Sequence, residues 1–121
     1  MKKKILIVDD DSRNIFALAA TLKAKGYEYY TSPSAGEAIH LIRAKPDIGI
    51  VLLDMMMPDM DGYEALAELK SMNVDLPVIS VTAQAMMGDR EKCMEAGADD
   101  YVSKPIDVEK LLAIIERFIN R

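Results

Sequence analysis

The chain has 121 residues, half of them apolar and 29% charged, which is a composition for one globular domain and not two. Fifteen Lys and Arg against twenty Asp and Glu give a formal charge of −5, which argues against direct contact with a nucleic-acid backbone. The lone Cys93 excludes an internal disulfide framework, so a reducing, cytoplasmic setting is expected, and no apolar run approaches a signal core or a membrane span.

Lys2, Lys3 and Lys4 read as a solubilising edge before the first apolar run, Ile5–Val8. Ile15, Leu18, Ala19 and Leu22 then keep the spacing of a helix face, with Asp11 or Ser12 as cap and Gly26 as stop. Tyr27–Thr31 is aromatic with Glu28 interleaved, which predicts an edge strand. Ser34 and Glu37 form a capping-box pattern opening a second helix through Ile39 and Ile42, before Pro46. Ile48–Leu53 is the next strand, and Asp61-Gly-Tyr-Glu64 opens a third helix with Leu66 and Leu69 inward.

Val78–Val81 and Tyr101–Val102 supply two more strands, separated by a weakly striped helix from about Met86 to Ala96. A last helix starts at Asp107, after Pro105, with Val108, Leu111, Leu112, Ile115 and Phe118 on one stripe. The apolar runs are rich in β-branched residues and do not alternate, as expected of strands covered on both faces. Five β-α units with short connections therefore predict an α/β fold, a five-stranded parallel sheet with helices on both faces.

Each inner strand is followed at once by a polar side chain. Val8 leads to Asp9, Asp10 and Asp11, Leu53 to Asp54, Val81 to Thr82, and Val102 through Ser103 to Lys104. Ligands of open α/β sheets bind beyond the carboxyl ends of the strands. With strand order 2-1-3-4-5, Asp9 and Asp10 lie beside Asp54, and Lys104 reaches the same pocket. Clustered carboxylates repel one another without a cation, and their hard oxygens suit Mg2+. A hydroxyl and an ammonium beside them are the parts phosphoryl transfer needs. Asp54, alone at its strand end and central among the others, is the expected acceptor of an acyl phosphate.

Over essentially its whole length the sequence resembles the receiver domain of two-component response regulators. The matching segments are Ile5-Leu-Ile-Val-Asp9-Asp10, Leu52-Leu-Asp54 with Met57-Pro58-Asp59-Met60-Asp61-Gly62, Val81-Thr82-Ala83, and Tyr101-Val-Ser-Lys104-Pro105. The resemblance implies a flavodoxin-like (βα)5 fold and a single receiver domain over residues 1–121 with no output domain. It implies that Asp54 accepts a phosphoryl group from the phosphohistidine of a histidine kinase or phosphotransfer protein. The implied ligands of Mg2+, with Mn2+ as an acceptable substitute, are Asp10, Asp54 and the Met56 backbone carbonyl, with Asp9 acting through water. Thr82 and Lys104 would contact the phosphoryl group, and Tyr101 would be an aromatic switch coupled to Thr82. Met56 and Gln84 occupy positions that tune phosphoryl lifetime in this family, and the Lys104–Pro105 bond is often cis.

Read this way, the chain is a signalling module rather than an enzyme, assisting only its own phosphorylation and dephosphorylation. Its output face would be the fourth helix, fifth strand and fifth helix, with Arg90, Glu91, Lys110 and Arg117 as contacts to a downstream protein or domain. No membrane insertion and no direct nucleic-acid contact are expected. Asp11 is assigned to capping or solvent, His40 to the surface, Cys93 to helix packing, and Met55, Met56 and Met57 to adaptable filling apart from the Met56 carbonyl.

Four other readings compete. A haloacid-dehalogenase-like phosphatase would need a D-x-D pattern on the first strand, whereas Asp54 is on the third and position 56 is Met. A flavin carrier would not place Asp9–Asp11 where a phosphate must sit. A calcium loop at Asp59-Met-Asp61-Gly62 would have to start at Met57 and continue through Pro58. A receiver-like protein-binding module that acts without phosphorylation is the alternative function.

Overall fold

Strands and helices alternate along the chain as β1 (Lys4–Val8), α1 (Ser12–Ala24), β2 (Tyr29–Ser32), α2 (Ala35–Ala44) and β3 (Ile48–Asp54). They continue as α3 (Gly62–Met72), β4 (Val78–Thr82), α4 (Asp89–Glu95), β5 (Asp100–Ser103) and α5 (Val108–Ile119). The computed structural model describes residues 3–57, 62–73, 75–82 and 88–119. All strand pairings are parallel and the order is β2-β1-β3-β4-β5, as expected.

β3 and β4 are buried along their whole length, and β1 is buried except at Lys4. Side chains of a strand alternate between faces, so the unbroken apolar runs feed two cores. Ile7, Leu52 and Val81 meet Leu111 and Ile115 on the side of α1 and α5. Val8, Leu53 and Val78 meet Leu66, Leu69 and Cys93 on the side of α2, α3 and α4. β2 and β5 are the edges and carry half-buried residues.

Local chemistry explains most boundaries and the departures from expectation. Asp11 is the N-cap of α1, accepting from the Arg13 N–H at 2.9 Å. β2 begins at Tyr29 rather than Tyr27 because the Tyr27 N–H bonds to the Leu22 carbonyl at 3.0 Å and belongs to the close of α1. The Ser34–Glu37 capping box is half formed. Ser34 Oγ accepts from the Glu37 N–H at 3.2 Å, but the Ser34 N–H turns to Ser32 Oγ at 3.4 Å.

At the last helix, Asp107 is the cap rather than the first residue, its Oδ1 accepting from the Lys110 N–H at 3.3 Å. Val108, expected on the buried stripe, is 44% exposed, while Ile114 and Ile119 are buried. Val108 lies in the first turn, at the rim of a crevice rather than over the sheet. The expected starts of the third helix at Asp61 and the fourth at Met86 lie outside the described residues, as do Ala83 and Gln84.

Gly62 sets how closely the start of α3 approaches the end of β3. A Cβ there would lie 2.8 Å from Met55 Cε and 3.1 Å from the Met55 Cα and carbonyl oxygen. The methyl group can move aside, but the backbone atoms one residue from Asp54 cannot do so freely. Gly62→Ala is therefore expected to destabilise the fold by about 1–3 kcal/mol. Urea unfolding checks this, and an unchanged midpoint would show that the approach is not tight.

Candidate functional site

Parallel register brings the polar strand ends into one place. Val8 pairs with Leu53, Asp54 with Val81, and Thr82 with Ser103, so Asp9, Asp54, Thr82 and Lys104 come out side by side. Backbone bonds continue the ladder past the strands: Asp9 N–H to the Ser32 carbonyl, Met55 N–H to Val81, and Lys104 N–H to Thr82, at 2.7 to 3.0 Å. The Lys104–Pro105 bond is cis.

Carboxylate oxygens of Asp9, Asp10 and Asp54 all lie within 4.8 Å of one another. Asp9 and Asp54 are only 3% and 5% exposed, whereas Asp10 faces solvent. Asp54 Oδ1 accepts from the Met56 N–H at 2.9 Å, and Oδ2 faces Lys104 Nζ at 3.3 Å. Asp9 Oδ1 accepts from the Asp11 N–H at 2.9 Å. Burial, and secondarily the Asp54 carboxylate, push the Asp9 carboxyl up to about 6, against the pull of the Asp11 N–H. Asp11, by contrast, is held below its ordinary value, chiefly by the Arg13 backbone N–H.

Two unit charges 4.8 Å apart repel by about 3 kcal/mol at the effective dielectric of a protein surface. One lysine does not offset three such carboxylates. Burial raises Asp9 most and the neighbouring Asp54 charge adds to it, and an all-oxygen donor set at this spacing suits a hard divalent cation. The cluster opens into a cleft of about 450 Å3, walled by Asp10, Asp54, Met56 and Lys104 together with Arg13 and Asn14.

The structure thus gathers Asp9, Asp10, Asp54, Met56 and Lys104. Thr82 is one residue past Val81, the partner of Asp54, and its side chain is buried instead of lining the cleft. Tyr101 lies across from Ser80 on β5, half-buried among the residues under α3 and α4. By alternation along the strands it shares a face with Thr82. Met56 has an exposed side chain. His40 is exposed and Cys93 is buried on α4, both as expected.

Two supports escaped the sequence reading: the amides of Asp11 and Met56, and the wall residues Arg13 and Asn14. A signal for the amides existed. Asp9, Asp11 and Asp54 each accept from the N–H two residues on, the habitual local bond of aspartate in turns.

Comparison with known proteins gives a concordant result. The family model of the response regulator receiver domain matches residues 5–116. The chain is 38% identical over 116 residues to the heme response regulator HssR of Staphylococcus aureus, covering 96% of this chain and 51% of that protein. It therefore spans about half the length of the curated relatives it matches. Among solved structures it is similar to a CheY-like receiver domain protein from Methanospirillum hungatei, with a TM-score of 0.87, 32% identity, and coverage of 97% and 93% of the two chains. It is also similar to the receiver domain of the sensor histidine kinase PA1611 from Pseudomonas aeruginosa, with a TM-score of 0.85, 31% identity and full coverage of both. That domain holds a magnesium ion coordinated in its active-site cleft.

Proposed function

The chain belongs to the response regulator receiver domain family of two-component signalling, and from that membership we propose that Asp54 is its phosphoacceptor. The observation that carries the reading is the environment of Asp54: a nearly buried carboxylate at the centre of the cluster, with one oxygen held by the Met56 N–H and the other facing Lys104. An Asp54 oxygen attacks phosphorus, and the bond from phosphorus to the donor breaks with its electron pair leaving on the donor. A histidine kinase or phosphotransfer protein is the donor in this reading.

Asp10, Asp54 and the Met56 carbonyl would hold Mg2+ or Mn2+, with Asp9 acting through water. The metal, when bound, neutralises charge on the phosphoryl oxygens. Lys104 keeps a positive charge beside the same oxygens, and the Thr82 hydroxyl offers a hydrogen bond after a rotation toward them. A phosphoryl group brings nearly two negative charges and strong acceptor oxygens, enough to bias a pair of states a few kcal/mol apart. Tyr101, on the face it shares with Thr82, follows that movement, and the surface of α4, β5 and α5 changes. Arg90, Glu91, Lys110 and Arg117 on that surface meet the downstream protein or domain. Met56 and Gln84 tune the lifetime of the phosphoryl group.

The test is intact mass after incubation with acetyl phosphate, with and without Mg2+. One phosphoryl adduct that requires Mg2+ supports the reading; no adduct from acetyl phosphate or from a panel of histidine kinases refutes it. Lys104→Ala is expected to keep a measurable adduct while reducing output by roughly tenfold or more, because it removes the charge that reads the phosphoryl group. A reconstituted binding or transcription assay checks this, and normal output from phosphorylated Lys104→Ala would refute it.

A further inference from the structure

The sheet is incompletely covered between α1 and α5. A crevice of about 360 Å3 opens there, at the lower end of the range for small-molecule sites. Its floor is Ile7, Leu52 and Val81, each no more than 3% exposed. The α1 wall runs from Asn14 through Ala17 and Leu18 to Thr21; Ala17 and Thr21 are short, and the Thr21 hydroxyl is already bonded to the Ala17 carbonyl at 3.0 Å. Pro105, Val108 and Leu111 make the opposite wall.

The polar end of this crevice is what gives it a specificity. It closes on Asp9, Asp54 and Lys104, whereas Asp10 and Arg13 belong to the outer cleft. Two carboxylates against one ammonium leave that end with a net negative charge. Its carboxylates are shielded from water, so an unmatched ligand would leave them without compensation. An anionic head would be repelled, and a neutral head would leave the excess charge standing.

We propose that this crevice binds a small amphiphilic cation, an apolar alkyl or aryl body bearing one primary ammonium. The body lies on Ile7, Leu52 and Val81, and the ammonium donates to Asp9 from the side opposite the outer cleft. Binding of this kind does not depend on phosphorylation. Its regulatory consequence does rest on Asp54 as phosphoacceptor: an occupant that holds Asp9 and crowds Asp54 slows phosphorylation of the chain.

The experiment is a backbone-amide NMR titration of the metal-free chain with 2-phenylethylammonium, with phenylacetate and 2-phenylethanol as charge controls. Saturable shifts are expected at Ile7, Ala17, Leu52, Val81 and Leu111, with a dissociation constant on the order of 1 mM, the level a ligand of this size reaches. Ala17→Leu fills the crevice from an exposed helical position that tolerates leucine, and is expected to weaken binding roughly tenfold. Thr21→Leu repeats the test from the next turn, and amide dispersion reports that each variant is folded. Shifts confined to other regions, undiminished binding by both folded variants, or phenylacetate binding as tightly as the ammonium would each overturn the proposal. Ammonium binding with no phosphoryl adduct from either acetyl phosphate or the kinase panel would refute only the reading of Asp54. An adduct without ammonium binding would refute only the crevice.

Discussion

Asp54→Asn is expected to abolish the Mg2+-dependent phosphoryl adduct, lowering it by at least about a hundredfold to the background of non-specific labelling. Asparagine is nearly isosteric, and its carbonyl oxygen still accepts from the Met56 N–H that holds Asp54 Oδ1 at 2.9 Å. What it lacks is a carboxylate oxygen with the charge and lone pair to bond phosphorus. Neighbouring carboxylates are poor substitutes. Asp9 is buried, with one oxygen committed to the Asp11 N–H, and Asp10 faces solvent, whereas the Lys104 ammonium stands 3.3 Å from Asp54. Intact mass of the variant beside the parent checks this, and an adduct of undiminished yield on Asp54→Asn would place the chemistry elsewhere.

Asp9→Asn has the second large effect, and its sign is opposite to that of most substitutions of buried residues. The Asp9 carboxyl stands at about 6 in the folded chain against 3.8 in a free one. Between those values the folded state retains a proton that the unfolded chain has released. Stability therefore falls as pH rises through the window, and above about 6 the full cost of a buried, crowded charge is present.

Asparagine carries no such charge and can still accept from the Asp11 N–H. In metal-free buffer at neutral pH, Asp9→Asn is expected to be more stable by about 1–2 kcal/mol, a rise in melting temperature of roughly 5 °C. Its stability should be flatter than the parent's between the two values. The same change should weaken Mg2+ binding, since one carboxylate of the cluster is gone. Thermal melts across pH, with and without Mg2+, check all three; a variant less stable than the parent at neutral pH would contradict the electrostatic account.

Sequence carried the architecture because this fold buries its central strands on both faces. Ile5–Val8, Ile48–Leu53 and Val78–Val81 could therefore be read as strands without alternation. It carried the gathering of the candidate site because parallel register sets successive strand ends side by side, so Asp9, Asp54 and Lys104 could be placed together from their positions after the apolar runs. The misplacements concern where elements meet. Helical periodicity identifies the stripe of α5 but not the turn at which the helix first reaches the sheet, so it puts Val108 inside and omits Ile114. Tyr27 has the composition of a strand, yet its N–H closes α1. The crevice between α1 and α5 depends on how far apart two helices lie, and nothing in Ala17 or Thr21 announces that distance.

The central claim is tested most directly by locating the phosphoryl group. Chain labelled by acetyl phosphate and Mg2+ is treated with borohydride, which reduces an acyl phosphate to an alcohol, and the modified residue is found by peptide mass mapping. The account predicts homoserine at position 54 alone, and only when Mg2+ was present. Homoserine at position 9, 10 or 11, or a stable phosphoester on Ser12 or Thr82 that borohydride leaves untouched, would contradict it.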